Sequence, residues 1–449
     1  MDVILGLILS TIIFITSIIT NIDTVISLLA VLCVFFAISL KRGVTVKDSF
    51  KHFLDGGNDS LGVLKIFVLI GAIVSLWMIS GTVPAIVYYG INLIHPSLFA
   101  VSAFILSSCV SMLLGTSFGT IGTVGISLMV MARAGDGNVY IIAGAILSGA
   151  YLGDRVSPMS SSANLVASIT STNLYDNIKK MTKTSIVPII LSLIIYTLLS
   201  LINPVNYSNS DIIIKLTSTF SISVLTLIPA LIIIILSFLK IEVKISMLIS
   251  MAVAAIIALF TQNATIGEVL KTAFLGFELR KDNSLYTIIR GGGISSMLRL
   301  ALIVYMSSGL TGIFKGANML DFIEGHLNKI KSPSSLFTST IITSIISSMV
   351  GCTQVLAVML TNMTLSNTYK RLGNDKCDLA LALENSAIVI APLIPWNVAV
   401  LVPLTTLGVD AKAILFSFYL ILLPIVSLVN IHISSKTSHK KYPSTYEDI

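Results

Sequence analysis

Two polar blocks interrupt what would otherwise be continuous apolar helices. Residues 115–125 read Gly-Thr-Ser-Phe-Gly-Thr-Ile-Gly-Thr-Val-Gly, and residues 153–164 read Gly-Asp-Arg-Val-Ser-Pro-Met-Ser-Ser-Ser-Ala-Asn. Glycine, hydroxyl side chains, proline and an adjacent acid and base break helices and expose main-chain groups. Inside a bilayer such backbone survives only where it is buried in protein or lines a polar cavity. Broken helices of this kind mark the binding region of secondary transporters, so an ion-coupled carrier is the class they imply.

The rest of the sequence fits that setting. Hydrophobic residues make up 55% of the chain and charged residues 11%, with a mean hydropathy of +0.96. A soluble domain carries about a quarter charged residues. Apolar runs at 3–20, 24–40, 97–114, 184–202, 219–239, 243–261 and 411–431 are each long enough to cross about 30 Å of hydrocarbon as a helix. The expected fold is all-α, a polytopic transmembrane helical bundle of about 11–12 segments with broken or re-entrant helices. It occupies 1–449 as one domain, ending in a polar cytoplasmic tail at 432–449.

The first run has no basic flank and passes through Asn21-Ile22-Asp23 into a second run. It therefore reads as one arm of a helical hairpin and not as a cleaved leader. Lys41, Arg42, Lys47 and Lys51 follow the second run, and Lys436, Lys440 and Lys441 follow the last. Such clusters mark cytoplasmic loops and account for the net charge of +7. The bilayer is the expected partner and nucleic acid is not, because no basic helix or basic–aromatic platform is present. Cys33, Cys109, Cys352 and Cys377 are scattered without metal-ligand spacing, so neither a disulfide nor a metal centre is expected. No P-loop or dinucleotide fingerprint occurs, and no cofactor is expected. His52, His95, His326, His432 and His439 are placed in loops, at helix ends or in the tail, away from any proton relay.

One plan recurs along the chain. The first copy (1–202) has a hairpin at 3–40, a glycine-containing amphipathic linker at 46–57 and helices at 62–80 and 97–114. The break at 115–125 follows, then a polar turn from Arg133 to Asn138, a helix at 139–152, the break at 153–164 and a closing helix at 184–202. The second copy (219–431) has a hairpin at 219–261, a linker at 266–277 and helices near 294–313 and 336–350. A break at 351–354, a polar turn at 369–375, a helix at 378–390, a break at 391–397 and a closing helix at 411–431 complete it. Gly115 to Gly351 and Pro158 to Pro392 span nearly the same interval, about 235 residues. Two structural repeats are expected, with the inverted arrangement preferred.

Asp154 is the foremost candidate for the transported ion. A carboxylate at membrane depth is a functional-site hypothesis by default. Beside hydroxyls and freed carbonyls it can bind Na⁺ as a hard oxygen ligand, or hold a proton once the ion leaves. The bland alternative pairs it with Arg155 or uses it as a helix cap. Thr116, Ser117, Thr120, Ser157 and Ser160 offer uncharged oxygens around it. Gly115, Gly119, Gly122, Gly153 and Pro158 are read as the residues that open the helices, against a packing role for the glycines. In the second half, Glu384 is the second candidate proton or cation carrier, with Asn385 and Asn397 as oxygen donors. Gly351, Pro392 and Pro395 are the corresponding breakers, with Thr353 and Gln354 as weaker counterparts of the hydroxyl break.

Several of these segments resemble a known family. Gly-Thr-Ser-Phe-Gly-Thr-Ile-Gly-Thr (115–123), Ala-Ile-Leu-Ser-Gly-Ala-Tyr-Leu-Gly-Asp-Arg-Val-Ser-Pro-Met-Ser (145–160), Leu-Tyr-Asp-Asn-Ile (174–178) and Pro-Leu-Ile-Pro-Trp-Asn (392–397) are similar to NhaC-type sodium/proton antiporters. The resemblance runs through most of the chain in order and spacing. It implies Na⁺/H⁺ exchange in a prokaryotic plasma membrane, with Li⁺ as an alternative cation and Asp154 the best candidate for the metal ion. Some members exchange organic acids with coupled ions. Members commonly carry Asp where this chain has Ser161, and Arg and Asp where it has Leu381 and Asn385. Those neutral positions imply altered coupling stoichiometry or a different substrate.

Three other readings stand beside antiport. A Na⁺- or H⁺-coupled carrier of a small organic anion or amino acid would use the same breaks. An intramembrane aspartyl hydrolase would need Asp154 and Asp176 to share a site. A channel fits paired half-sites less well than alternating access does. A homodimer is compatible with each.

Overall fold

The computed structural model describes residues 2–441 except 21, 59, 207–211, 240, 284, 287, 318, 320–329 and 331. The last part of the expected tail, 442–449, lies outside the described residues, as does His326. Seven described helices are long and apolar enough to cross a membrane, or up to 10 when each sharply bent pair counts as one span. The protein is a multi-pass membrane protein built as a helical bundle.

In the first half the helices are α1 (Asp2–Thr20), α2 (Thr24–Lys41), α3 (Val46–Asn58), α4 (Leu61–Ile79), α5 (Thr82–Leu93) and α6 (Phe99–Leu114). Next come α7 (Ser117–Thr120), α8 (Ile126–Ala134), α9 (Val139–Val156), α10 (Ser161–Thr170) and α11 (Leu174–Ile202). The second half begins with α12 (Ile212–Thr219), α13 (Ile228–Phe238), α14 (Val243–Thr261), α15 (Ile266–Leu275) and α16 (Ile294–Gly316). It continues with α17 (Pro333–Gly351), α18 (Gln354–Arg371), α19 (Lys376–Asn385), α20 (Ala387–Ile390), α21 (Val398–Leu407) and α22 (Phe418–Lys441). A two-residue ladder pairs β1 (Phe277–Glu278) antiparallel with β2 (Arg290–Gly291).

The same capping chemistry recurs in the same order in both halves. Thr45 caps α3 against Asp48, and Thr265 caps α15 in a box with Glu268. Thr116 and Thr353, Asn138 and Asp375, and Ser160 and Asn397 are N-caps offset from one another by one constant interval. These side chains accept from main-chain N–H groups that the first helical turn cannot satisfy. The linker helices exchange partners: α3 packs along α16, while α15 packs along α4. The seam between α3 and α16 is built on glycine. A Cβ at Gly312 would overlap the main-chain oxygen of His52, and one at Gly316 would overlap the His52 ring. His52 is thus in the middle of a docked helix, and His432 lies within α22, not in a loop or tail.

Several boundaries differ from the sequence expectation. The 219–239 run is bent, Ile213–Thr219 meeting Val224–Phe238 at 93°. The 82–93 segment is a helix, α5, turned 67° from α4 across Gly81, whose φ is +79°. The 411–431 run starts as a 3₁₀ turn (Ala411–Phe416), and the closing helix begins at Phe418.

The core element is α9, buried from Ile141 to Arg155. It lies closely along α6 because Gly149 and Gly153 present no side chain to it. A Cβ at Gly153 would sit 2.5 Å from Met112 N, and one at Gly149 would overlap Phe104 O. Small residues one turn apart let membrane helices approach backbone to backbone. Gly149→Ala should force α6 away and lower stability by about 1–3 kcal/mol. The check is a fall in the unfolding midpoint of detergent-purified protein, against Gly62→Ala in α4, where a Cβ meets nothing within 4 Å and the midpoint should hold or rise slightly.

Candidate functional site

Each half brings its two breaks together. In the first, α6 ends at Gly115, which takes φ +65°. A side chain there would meet Met159, whose carbonyl carbon lies 2.5 Å from the position of a Cβ. The 115–116 break therefore rests on the 157–160 turn. In the second, Cys352 takes the left-handed position with φ +50°, one residue after Gly351. Val398 N donates to Cys352 O at 2.8 Å, Trp396 Nε1 to Met349 O at 3.0 Å and Asn397 Nδ2 to Ser348 O at 2.9 Å. Carbonyls at the end of α17 are thus satisfied from the other break.

The breaks are narrower than the sequence suggests. Asp154 lies inside α9, which runs on to Val156, so Gly153 is a helix-packing residue and not a breaker. Gly119 and Gly122 are also helical: Ser117–Thr120 is an α-turn and Ile121–Gly125 a π-helical one. π-turns recur at functional sites because they displace side chains from the regular register. Pro158 sits in the true break between α9 and α10. In the second half α19 stops at Asn385, and Ser386 breaks the helix with φ −129° and ψ −81°. Pro392 lies in a 3₁₀ turn and Pro395 in the bend before Asn397.

Asp154, Arg155 and Glu384 are the charged side chains buried among the described residues. Ser117 and Ser160 face the Asp154 carboxyl group, and Tyr151 lies beside it. Asp154 Oδ1 has no hydrogen-bond partner. Tyr151 reaches across to donate to Ala399 O in the first turn of α21. Arg155 turns away from Asp154, as neighbours on a helix do, and enters the second half. Its Nε donates to Glu384 O at 3.2 Å and stands 3.9 Å from Glu384 Oε2. Its Nη1 donates to Ser185 Oγ at 2.5 Å, Tyr419 Oη at 3.2 Å and Met181 O at 3.4 Å. Its Nη2 donates to Asn385 Oδ1 and, at 3.3 Å, to Thr184 Oγ1. Both carboxylate oxygens of Glu384 are buried without a hydrogen bond, and Glu384 is within electrostatic reach of Asp154.

The expected site residues therefore divide. Asp154, Ser117 and Ser160 form one cluster, joined through Arg155 to Glu384 and Asn385. Thr116, Ser157 and Asn397 spend their side-chain oxygens on Gly119 N, Met159 N and Ala399 N, while Thr120 donates to Thr116 O. Thr353 caps α18, and Gln354 Nε2 donates to Ile388 O. Arg155, Tyr151 and Tyr419 belong to the cluster although the spacing of acids and hydroxyls did not single them out. Asp176 is exposed at the start of α11 while Asp154 is buried, so the two do not form an aspartyl pair. A cavity of about 1080 Å³ opens elsewhere, lined by Arg133, Glu268, Lys271, Arg290, Thr405 and Thr406 among others.

A family model described as the Na⁺/H⁺ antiporter family matches residues 1–163 and 149–433. The chain belongs to the Na⁺/H⁺ antiporter family. Among its relatives, the Na⁺/H⁺ antiporter NhaC of Alkalihalophilus pseudofirmus is 30% identical over 408 residues, covering 89% of this chain and 88% of that one. The malate-2H⁺/Na⁺-lactate antiporter of Bacillus subtilis is 29% identical over 370 residues, 80% of this chain and 78% of its own length. The arginine/ornithine antiporter ArcD of Halobacterium salinarum is 26% identical over 396 residues, covering 85% and 81%. In this family member both matched segments contain Asp154 and Arg155, and the second also contains Glu384.

Gly115→Ala should combine left-handed strain with overlap on Met159 and cost about 3 kcal/mol or more. Gly373→Ala, at φ +74° with nothing within 4 Å, should cost only the backbone term of about 1–2 kcal/mol. Thermal unfolding of the two purified variants side by side measures the difference, and equal losses would contradict the packed break.

Proposed function

We propose that this antiporter-family chain exchanges Na⁺ (or Li⁺) for H⁺ by alternating access, in a prokaryotic plasma membrane, with Asp154 and Glu384 as the cation- and proton-carrying groups. The observation that carries this reading is the buried cluster itself. Both acids lie where the two halves meet, Asp154 keeps one unpartnered oxygen and Glu384 two, and their surroundings offer hydroxyl and carbonyl oxygens. Hard oxygen donors suit an alkali cation, and carboxylates can exchange it for a proton. Among the described residues no group of three His, Cys, Asp or Glu is placed to hold a resident metal. The names of the NhaC relatives support the same cargo.

The coupled carrier of a small organic anion is the second reading. It is supported by the large cavity, whose lining includes Arg133, Lys271 and Arg290, and by relatives named for malate, lactate, arginine and ornithine exchange. The two readings separate in proteoliposomes with an inside-acid pH gradient and no organic solute. Under antiport, added Na⁺ or Li⁺ dissipates the gradient, and Asp154→Asn abolishes the response while eluting as folded protein. Undiminished exchange by Asp154→Asn would remove Asp154 from the carrying role. A wild-type protein that answers only when a small acid or amino acid is supplied would establish the second reading.

A further inference from the structure

The charges sealed into the core fix a count. Two carboxylates, Asp154 and Glu384, face one guanidinium, Arg155, and these are the charged side chains buried among the described residues. Arginine keeps its proton at every pH a protein meets. With both acids ionised the cluster therefore holds one net negative charge, and a low-dielectric interior strongly disfavours an uncompensated charge. One monovalent cation brings it to neutrality. Two would overshoot and none would leave it charged, whichever acid carries the load.

No neighbouring element changes this count. Helices α6, α7, α10, α17, α20 and α21 contain no Asp, Glu, Lys or Arg. Tyr151 on α9 and Tyr419 on α22 touch the cluster as phenols, which are neutral near pH 7. The charges on the other packed elements point away from the cluster. Arg133 on α8 donates to Leu407 O and Gly408 O. Lys183 on α11, Lys370 and Arg371 on α18 and Lys412 in the 411–416 turn are exposed, and Lys180 pairs with Asp378 and Asp375 at the surface. Nor can Arg155 leave with the cargo. Its donors are held by Met181, Thr184, Ser185, Asn385 and Tyr419, so the positive charge is part of the scaffold and not of the load.

We infer that Arg155 is a positioning residue that sets the load: it limits the cluster to one monovalent positive charge at a time, and because the loaded cluster is neutral with either cargo, Na⁺ and H⁺ exchange one for one without net charge movement. This rests on the antiport reading above. The loaded cluster is neutral on both legs of the cycle, carrying Na⁺ one way and H⁺ the other.

The test is a zero-flux measurement on the full chain in proteoliposomes, with opposed Na⁺ and H⁺ gradients and the voltage clamped by K⁺ and valinomycin. Flux should vanish when the two concentration ratios are equal, and the balance point should not move with voltage. A balance point displaced by voltage, or met when the Na⁺ ratio equals the square of the proton ratio, overturns the inference while leaving antiport standing. An absence of any Na⁺-dependent proton movement overturns antiport itself and the ratio with it. Substitutions read the charge directly. Arg155→Lys should keep a Hill coefficient of one for Na⁺ even at a lower rate. Arg155→Gln, with two uncompensated acids, should carry two Na⁺ against two protons, raising that coefficient toward two while the balance point stays at equal ratios. Glu384→Gln, which leaves the cluster neutral before loading, should lose exchange. The double variant Arg155→Gln/Glu384→Gln restores the single negative charge and should regain one-for-one exchange. A folded but silent double variant would refute the charge count, and the wild-type balance point decides the matter if the variants do not fold.

Discussion

A guanidinium buried in the apolar centre of the bundle is the constraint around which the two halves are arranged. Removing a charge from water costs several kcal/mol even after relaxation, so Arg155 is tolerable only where every face of it finds an acceptor. Its own helix cannot supply them, because the α9 carbonyls are used in the helical ladder. They come instead from α11, α19 and α22, through Ser185, Thr184, Asn385, Tyr419 and two main-chain carbonyls. A shift of α19 by one turn would strip acceptors from the guanidinium. The ion pair with Glu384 is loose, at 3.9 Å, which leaves the acid oxygens unspent. Fixed positive charge and available negative charge are thus adjacent but not fused.

The breaks serve this arrangement by ending helices without orphaning their main-chain groups. An unsatisfied N–H or C=O in hydrocarbon costs several kcal/mol. Thr116, Ser160, Thr353 and Asn397 each accept from a first-turn N–H of the helix that follows. Trp396 and Asn397 side chains close two carbonyls of α17. Hydroxyls and amides that look from sequence like cargo ligands are therefore in large part capping groups. Ser117 and Ser160 retain a direct relation to Asp154, and they lie where a cap and the acid coincide.

Much of this was legible in the sequence, and the misplacements share a cause. The apolar runs, the polar breaks and the acids at 154 and 384 follow from composition and spacing because the bilayer enforces both. What composition could not decide was whether a glycine opens a helix or lets another helix touch it. Gly153 and Gly149 stand beside polar residues, yet their lack of a Cβ accommodates α6. Only Gly115 of the first block takes a left-handed φ. Helix α5 and the 3₁₀ start of the last segment were hidden for the converse reason: an apolar run does not show where it bends. Arg155 was visible as a residue but not as a partner of Glu384, since that pairing joins positions far apart in the chain through a helix register that spacing alone does not give.

The large cavity and the buried cluster are separate features, and their lining chemistry explains why. The cavity is lined by Arg133 and Arg290, which interact repulsively, together with Lys271, Glu268 and Glu278. Arg133 donates to Leu407 O at 2.5 Å and Gly408 O at 3.1 Å, so its charge meets the negative end of the α21 dipole. Glu268 is engaged as the cap of α15, and Glu278 accepts from Tyr286 at 2.5 Å. Arg133 and Glu268 hold helix ends, and Arg290 stands over the Tyr286 ring that donates to Glu278. The cluster differs: its acids keep unused oxygens, its three charged side chains are buried, and its one base is locked. The cavity lining carries three bases, Arg133, Lys271 and Arg290, against two acids, Glu268 and Glu278, an excess of positive charge that suits an anion better than a cation. At Asp154 and Glu384 two acids face one base, and that opposite excess is why the antiport reading rests on the cluster and not on the larger opening.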